Sequence, residues 1–255
     1  MSVMLRHDIQ THNGALPSLL WLPHGATGQV PGIVVFQEIY GLSDYVQARC
    51  ADLAGLGYAV LAPQLFARLD PPVAAVQEDG VEPEAALGTA LELAGSLDWD
   101  LAVKDGLAAM VDLERLGPVR KKQVALLGFC LGGGLAFNVA AAASKAGRPP
   151  AALVSYYGSA LPQLLDLAPD VTTPSLHVFG TADDYIPMEQ VEAVREAVTD
   201  GGRREQVRFE LHEGAGHAFD NPNPLFHHQQ ASKAAWAQTR EFLAAELPVD
   251  VSEVP

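Results

Sequence analysis

Short apolar runs bounded by turn residues alternate along the chain with longer segments of helical spacing. Val3 to Ile9 and Leu16 to Leu22 flank Asn13-Gly14, a dipeptide suited to the positive φ angles of a tight hairpin turn, so an antiparallel hairpin is expected first. Gly32 to Phe36 is a continuous apolar run, the pattern of a strand buried on both faces of a parallel sheet. Ser43 with Asp44 suits a helix N-terminus, Gly57 its end near Leu56, and Tyr58 to Ala62 the next strand, which completes a β-α-β unit. From Pro63 to Ser96 the pattern changes, with Pro71, Pro72, Pro83 and acids from Asp70 to Glu92. This stretch reads as an excursion from the sheet carrying one helix, Glu84 to Leu93, rather than as a linker, because the alternation resumes unchanged after it. Trp99 to Leu116 is helical and stopped by Gly117-Pro118. Strands are expected at 124–127, 153–156, 176–179 and 207–211, and helices at 131–145, 188–199 and 229–246. Such alternation predicts an α/β protein with one mostly parallel, doubly wound sheet, a single domain over 1–247 and a loose tail at 248–255.

Composition narrows the function. The 255 residues include 16 Lys and Arg against 31 Asp and Glu, a net charge of −15 that repels nucleic acid and anionic membrane surfaces. The segment from Gln123 to Ser144 is uncharged and long enough to span a bilayer, but its glycines and asparagine fit a buried strand, tight turn and helix better. Two cysteines, Cys50 and Cys130, make no disulfide framework, and the N-terminus lacks a basic start with an apolar core, so a reduced, cytoplasmic protein is expected.

Sites in open α/β sheets collect beyond the carboxyl ends of the strands. There Gly128-Phe129-Cys130-Leu131-Gly132 has the form of the nucleophile elbow G-x-S-x-G with cysteine in the serine position. A thiol so placed stands at a helix N-terminus, where unpaired N–H groups favour thiolate. Taken alone, the pentapeptide fits equally a small core cysteine between packing glycines. His217, after the last strand in Gly214-Ala-Gly-His217, and Asp183, in Gly180-Thr-Ala-Asp183, complete the order nucleophile, acid, histidine; Asp184 is the alternative acid. Three roles arriving in order at three strand ends favour catalysis. Other signals are weaker. His212-Glu213 with His217 has the wrong spacing for a zinc helix, and Gly132 to Gly134 does not form a dinucleotide loop, so neither metal nor cofactor is expected. His227-His228 reads as a solvated pair, and Cys50 reads as core.

With these residues in view the chain resembles the dienelactone hydrolase family of α/β-hydrolases from about Gly32 to Leu243. The resemblance rests on Gln37-Glu38-Ile39-Tyr40-Gly41, Gly128-Phe-Cys-Leu-Gly-Gly133, Tyr156-Tyr157-Gly158, Gly180-Thr-Ala-Asp183 and Gly214-Ala-Gly-His217. It implies an α/β-hydrolase fold with Cys130 as nucleophile, His217 as base and Asp183 as its orienting acid. It further implies that Glu38 meets the resting thiol and that the N–H groups of Leu131 and Ile39 form an oxyanion hole. Tyr40, Tyr157 and Phe219, beside these motifs, are the candidate substrate contacts. The family's enzymes that accept an anionic diene lactone hold its carboxylate with arginines. Here the matching position after the histidine is Asn221, a neighbouring serine is replaced by Ala218, and 69–100 contains no arginine; Arg68 and Lys104 are the nearest cations in sequence. The expectation is a monomer or weak homo-oligomer that hydrolyses a small ester or lactone. A broad carboxylesterase or thioesterase, or a binding protein on the same scaffold, are the alternatives.

Overall fold

The computed structural model describes residues 2–25, 28–77 and 80–249. It is an α/β-hydrolase fold whose eight strands make a mostly parallel sheet with helices. Its contacts divide into two compact units, one reaching to Val124 and the other Ala125–Pro248. Of the tail expected at 248–255, only Pro248 and Val249 fall within the described residues.

The first unit opens with the antiparallel hairpin of β1 (Val3–Thr11) and β2 (Gly14–Leu22), in which Thr11 pairs with Gly14. Gly14 takes a φ of +89°, the left-handed turn geometry that glycine adopts without strain. β2 runs antiparallel to β4 (Ala59–Pro63), and β4 parallel to β3 (Val30–Phe36). Every residue of β3 is buried, as its unbroken apolar run requires. Helix α1 (Asp44–Gly55) leads from β3 to β4. Ser43 is its N-cap residue but makes no capping bond; its hydroxyl instead donates to Glu38 Oε1 at 3.0 Å. A buried carboxylate is the stronger acceptor.

The excursion contains a short 3₁₀ turn, Leu65–Arg68, and α2 (Pro83–Gly95), followed by α3 (Trp99–Arg115). Arg68 is committed to structure. Its guanidinium donates to both oxygens of the buried Asp105, at 2.8 and 3.0 Å, and to Thr11 Oγ1 and the Asn13 carbonyl at 2.8 Å. A bidentate pair of this kind locks the turn of the hairpin to α3. Removing either partner would leave a buried charge.

In the second unit β6 (Leu153–Tyr156), β7 (Ser175–Gly180) and β8 (Val207–His212) run parallel beside the inner end of β5 (Val119–Phe129). β5 starts five residues before the expected Val124, because its outer part carries Arg120, Lys121 and Lys122 in half-buried or exposed positions and so lacks the apolar signature of a strand. Helices α4 (Leu131–Lys145), α5 (Met188–Thr199) and α6 (Gln229–Glu246) complete the unit. The uncharged segment at 123–144 is thus the end of β5, a turn and most of α4; among the described residues no helix is long and apolar enough to cross a membrane.

His177, in the middle of β7, is fully enclosed against Phe137 and Phe209, with Nε2 3.2 Å from Ser175 Oγ. Burial lowers its pKa from 6.5 to about 4. The folded value lies below the unfolded one, so the contribution of this residue to stability is complete above about pH 6.5 and is lost as pH falls toward 4. A gap of this size corresponds to about 3 kcal/mol. In urea unfolding the stability difference between pH 7 and pH 4.5 should shrink by roughly 2 to 3 kcal/mol in His177→Leu. An undiminished difference would mean that other groups dominate the acid response.

Candidate active site

β5 passes into α4 through Cys130, which holds φ 52° and ψ −115°. A non-glycine residue in this region is strained, and such strain persists only where the surroundings fix it. Here the fixing contacts are main-chain bonds: Cys130 N–H donates to the Tyr156 carbonyl at 3.0 Å, and its own carbonyl accepts from the N–H groups of Gly133 and Ser159, each at 3.0 Å. The turn is so tight that a Cβ on Gly128 would lie 2.0 Å from the Gly132 carbonyl oxygen, and one on Gly133 2.9 Å from Gly158 Cα. These glycines are therefore demanded by backbone contact, which is the physical content of the elbow spacing. The thiol lies at the start of α4, where first-turn N–H groups, Leu131 among them, have no acceptor within the helix. Cys130 is 5% exposed.

The loops after β7 and β8 bring the other two groups to it. Thr181 N–H donates to the His212 carbonyl, Ala182 N–H to the Ala215 carbonyl at 2.9 Å, and Gly214 N–H to Thr181 Oγ1 at 2.9 Å. A Cβ on Gly180 would fall 2.1 Å from the Ala215 oxygen, so the two loops are pressed backbone to backbone. Asp183 Oδ1 accepts from the N–H groups of Tyr185 and Ile186, at 2.8 and 2.9 Å, which leaves Oδ2 to meet His217 Nδ1 at 2.8 Å. The ring's other nitrogen, Nε2, lies 3.2 Å from Cys130 Sγ. Of the two neighbouring aspartates, the buried Asp183 is thus the one that meets the imidazole; Asp184 is exposed. Burial by itself would lower the His217 pKa, but the Cys130 charge and the hydrogen bond to Asp183 outweigh it and raise the value to about 10.

Two tyrosine rings touch the His217 ring, Tyr157 at 5.2 Å between centroids and Tyr185 at 5.1 Å. Tyr157 is fully buried and packs against Phe219, which packs in turn on His212. Tyr185 carries no signal in the sequence, because an exposed aromatic after two aspartates makes no motif; the turn around Asp183 Oδ1 sets it beside the His217 ring. Asn221 is buried, its side-chain oxygen accepting from Asn223 N–H at 2.9 Å, and Ala218 takes a φ of +56°. His228 is not simply solvated, since its Nδ1 accepts from Ala231 N–H and caps α6. Cys50 lies fully buried in α1, where desolvation pushes its thiol far above the usual range. Among the described residues no three His, Cys, Asp or Glu side chains are grouped to hold a metal ion.

Glu38, Ile39 and Tyr40 belong to the first unit, at the carboxyl end of β3. Gly41, at φ +80°, closes the turn with its N–H on the Glu38 carbonyl, and a Cβ there would lie 2.6 Å from the Ala74 oxygen. Leu42 N–H to Ala74 and Val76 N–H to Tyr40 pin the same turn to the excursion. Glu38 and Tyr40 are buried; Ile39 is half-buried.

Residues 16–247 match the model of the dienelactone hydrolase family. The chain belongs to that family. It is 32% identical over 239 residues to a carboxymethylenebutenolidase of Pseudomonas putida, covering 93% of this chain and 94% of that one. It is 30% identical over 224 residues to carboxymethylenebutenolidase 1 of Cupriavidus pinatubonensis, covering 88% and 90%. Among solved structures, a dienelactone hydrolase-like promiscuous phosphotriesterase from metagenomic libraries superposes with a TM-score of 0.78 at 23% identity, covering 96% of this chain and 98% of the other. The protein is a hydrolase of this family's kind, on the fold that the strand and helix pattern predicts.

Proposed function

We propose that the protein hydrolyses neutral carboxylic esters or lactones through an acyl-cysteine at Cys130. The observation that carries this reading is the unbroken chain from Cys130 Sγ through the two nitrogens of His217 to Asp183, at 3.2 and 2.8 Å. Thiolate attacks the carbonyl carbon, forming the C–S bond and placing negative charge on the carbonyl oxygen. The helix N-terminus supports that charge through Leu131 N–H, joined, by the family resemblance, by Ile39 N–H. Collapse breaks the C–O bond, and the imidazolium gives its Nε2 proton to the departing alkoxide. Neutral His217 then takes a proton from water, which attacks the acyl-cysteine and releases the acid. Asp183 stays ionised throughout and holds the ring with Nδ1–H toward itself. Glu38 is assigned to the resting thiol, which it would keep protonated and less open to oxidation while no substrate is present. Two free thiols suit the reducing cytoplasm, and a charge of −15 favours a monomer or weak homo-oligomer.

The restriction to neutral substrates rests on charge. A substrate carboxylate withdrawn from water needs a paired cation, at a cost of several kcal/mol without one. Arg68 is spent on Asp105 and the hairpin, and Asn221 is turned onto its own loop. A neutral ester should therefore be turned over with at least about tenfold higher kcat/KM than its matched analogue bearing a carboxylate near the scissile carbonyl, at fixed ionic strength. Both rates should vanish after alkylation with iodoacetamide. Preference for the anion would overturn the substrate class, and an alkylated enzyme with full activity would overturn the mechanism.

A further inference from the structure

The two tyrosines on His217 are held very differently. Tyr157 is fully enclosed, its ring set edge-on against Tyr156 and Phe219. Tyr185 is 61% exposed although its backbone is fastened to Asp183 Oδ1, so the carboxylate that orients the base also aims this ring beside it. Next to it opens a cavity of about 430 Å³ with His217, Tyr185, Leu225 and Phe226 in its wall. Gly214 and Gly216 line it without side chains, and Leu225, 53% exposed, puts a second large apolar group at the same opening. Asp184, His227 and His228 complete its polar wall, and no lysine or arginine lines it.

We propose that this cavity receives the alcohol portion of the ester, with Tyr185 and Leu225 as specificity-determining residues that favour bulky, apolar leaving groups. The inference rests on the acyl-cysteine reading above. In that reaction the leaving oxygen must come within hydrogen-bond reach of His217 Nε2 to take its proton, so the carbons attached to that oxygen continue past the imidazole. The Tyr157 flank is filled by other rings. The Tyr185 flank is open, and an aromatic ring there offers an apolar surface at small entropic cost. As the C–O bond breaks, electrons stay on the oxygen, the His217 proton neutralises it, and the neutral alcohol is left among Tyr185, Leu225 and Phe226.

The test compares kcat/KM, which reports acylation and therefore the leaving group, for the wild type, Tyr185→Ala and Leu225→Ala. One series varies the alcohol (ethyl, phenyl and 2-naphthyl acetate), and the other varies the acyl chain on a constant 4-nitrophenol. Taking each variant-to-wild-type ratio cancels the intrinsic reactivity of the ester. The ratio should fall along the alcohol series, ending about tenfold lower for 2-naphthyl than for ethyl acetate, and stay level along the acyl series. Leu225 lies outside the triad and outside the turn that orients it, so its variant separates a lost subsite from a misplaced base. A level ratio along the alcohol series in both variants, or a fall confined to the acyl series, overturns the inference while an active wild type leaves the proposed function standing. A wild type inert toward every ester removes both.

Discussion

Cys130→Ala is expected to lower ester hydrolysis by at least about 10⁴-fold, whereas Cys50→Ala should leave turnover within about twofold of the wild type. The two cysteines have the same atoms and opposite surroundings. Cys130 sits in strained backbone at the head of α4 with an imidazole nitrogen 3.2 Å from its sulfur. Cys50 is sealed in α1, and desolvation holds its thiol protonated. In the proposed mechanism the Cys130 sulfur forms the covalent intermediate, so no other part of the site substitutes for it. Removing Cys50 leaves a small void in a packed core, which costs stability and not chemistry. Steady-state hydrolysis of 4-nitrophenyl acetate by proteins matched in circular dichroism decides the matter. A folded Cys130→Ala enzyme with wild-type turnover would exclude an acyl-cysteine.

Much of this architecture was legible because its signals are local. α4, α5 and α6 fall at 131–145, 188–199 and 229–246, where the spacing places them, since each is bounded by a strand turn, a proline or a capping residue. The elbow was legible for a sharper reason: only glycine fits at 128, where a Cβ would lie 2.0 Å from the Gly132 carbonyl oxygen. What escaped the sequence depends on parts of the chain far apart in number. The outer half of β5 is strand although it carries Arg120, Lys121 and Lys122, and the 3₁₀ turns at 161–163 and 165–170 are too short to show a period. Arg68 looked available to an anion until Asp105, 37 residues later, and the hairpin claimed it. Tyr185 gained its place from the bonds of Asp183 and from the pressing together of two loops at Gly180 and Ala215, neither of which leaves a mark in a linear pattern.

Asp183 and Asp184 could not be separated by sequence, and exchanging each for asparagine turns their geometric difference into a rate. Asp183→Asn is expected to reduce kcat by about 10⁴-fold, and Asp184→Asn by less than about threefold. In the folded protein Asp183 Oδ1 is tied to the Tyr185 and Ile186 amides, so an asparagine at 183 keeps its oxygen there and turns its NH₂ toward His217 Nδ1. Two donors then face each other unless the imidazole carries its proton on Nε2 instead. That tautomer points a hydrogen at the sulfur and cannot accept a proton from the thiol or from the deacylating water. Loss of the carboxylate also removes one of the influences that hold the ring's pKa near 10, so the His217 titration moves to lower pH. The direction follows because the charged imidazolium loses a favourable partner while its burial is unchanged. Asp184 is exposed, so its exchange alters neither tautomer nor titration. Turnover measured beside an NMR titration of the imidazole reads both effects at once. An Asp183→Asn enzyme that kept kcat within tenfold, with an unmoved imidazole titration, would show that His217 does not depend on Asp183 for its proton.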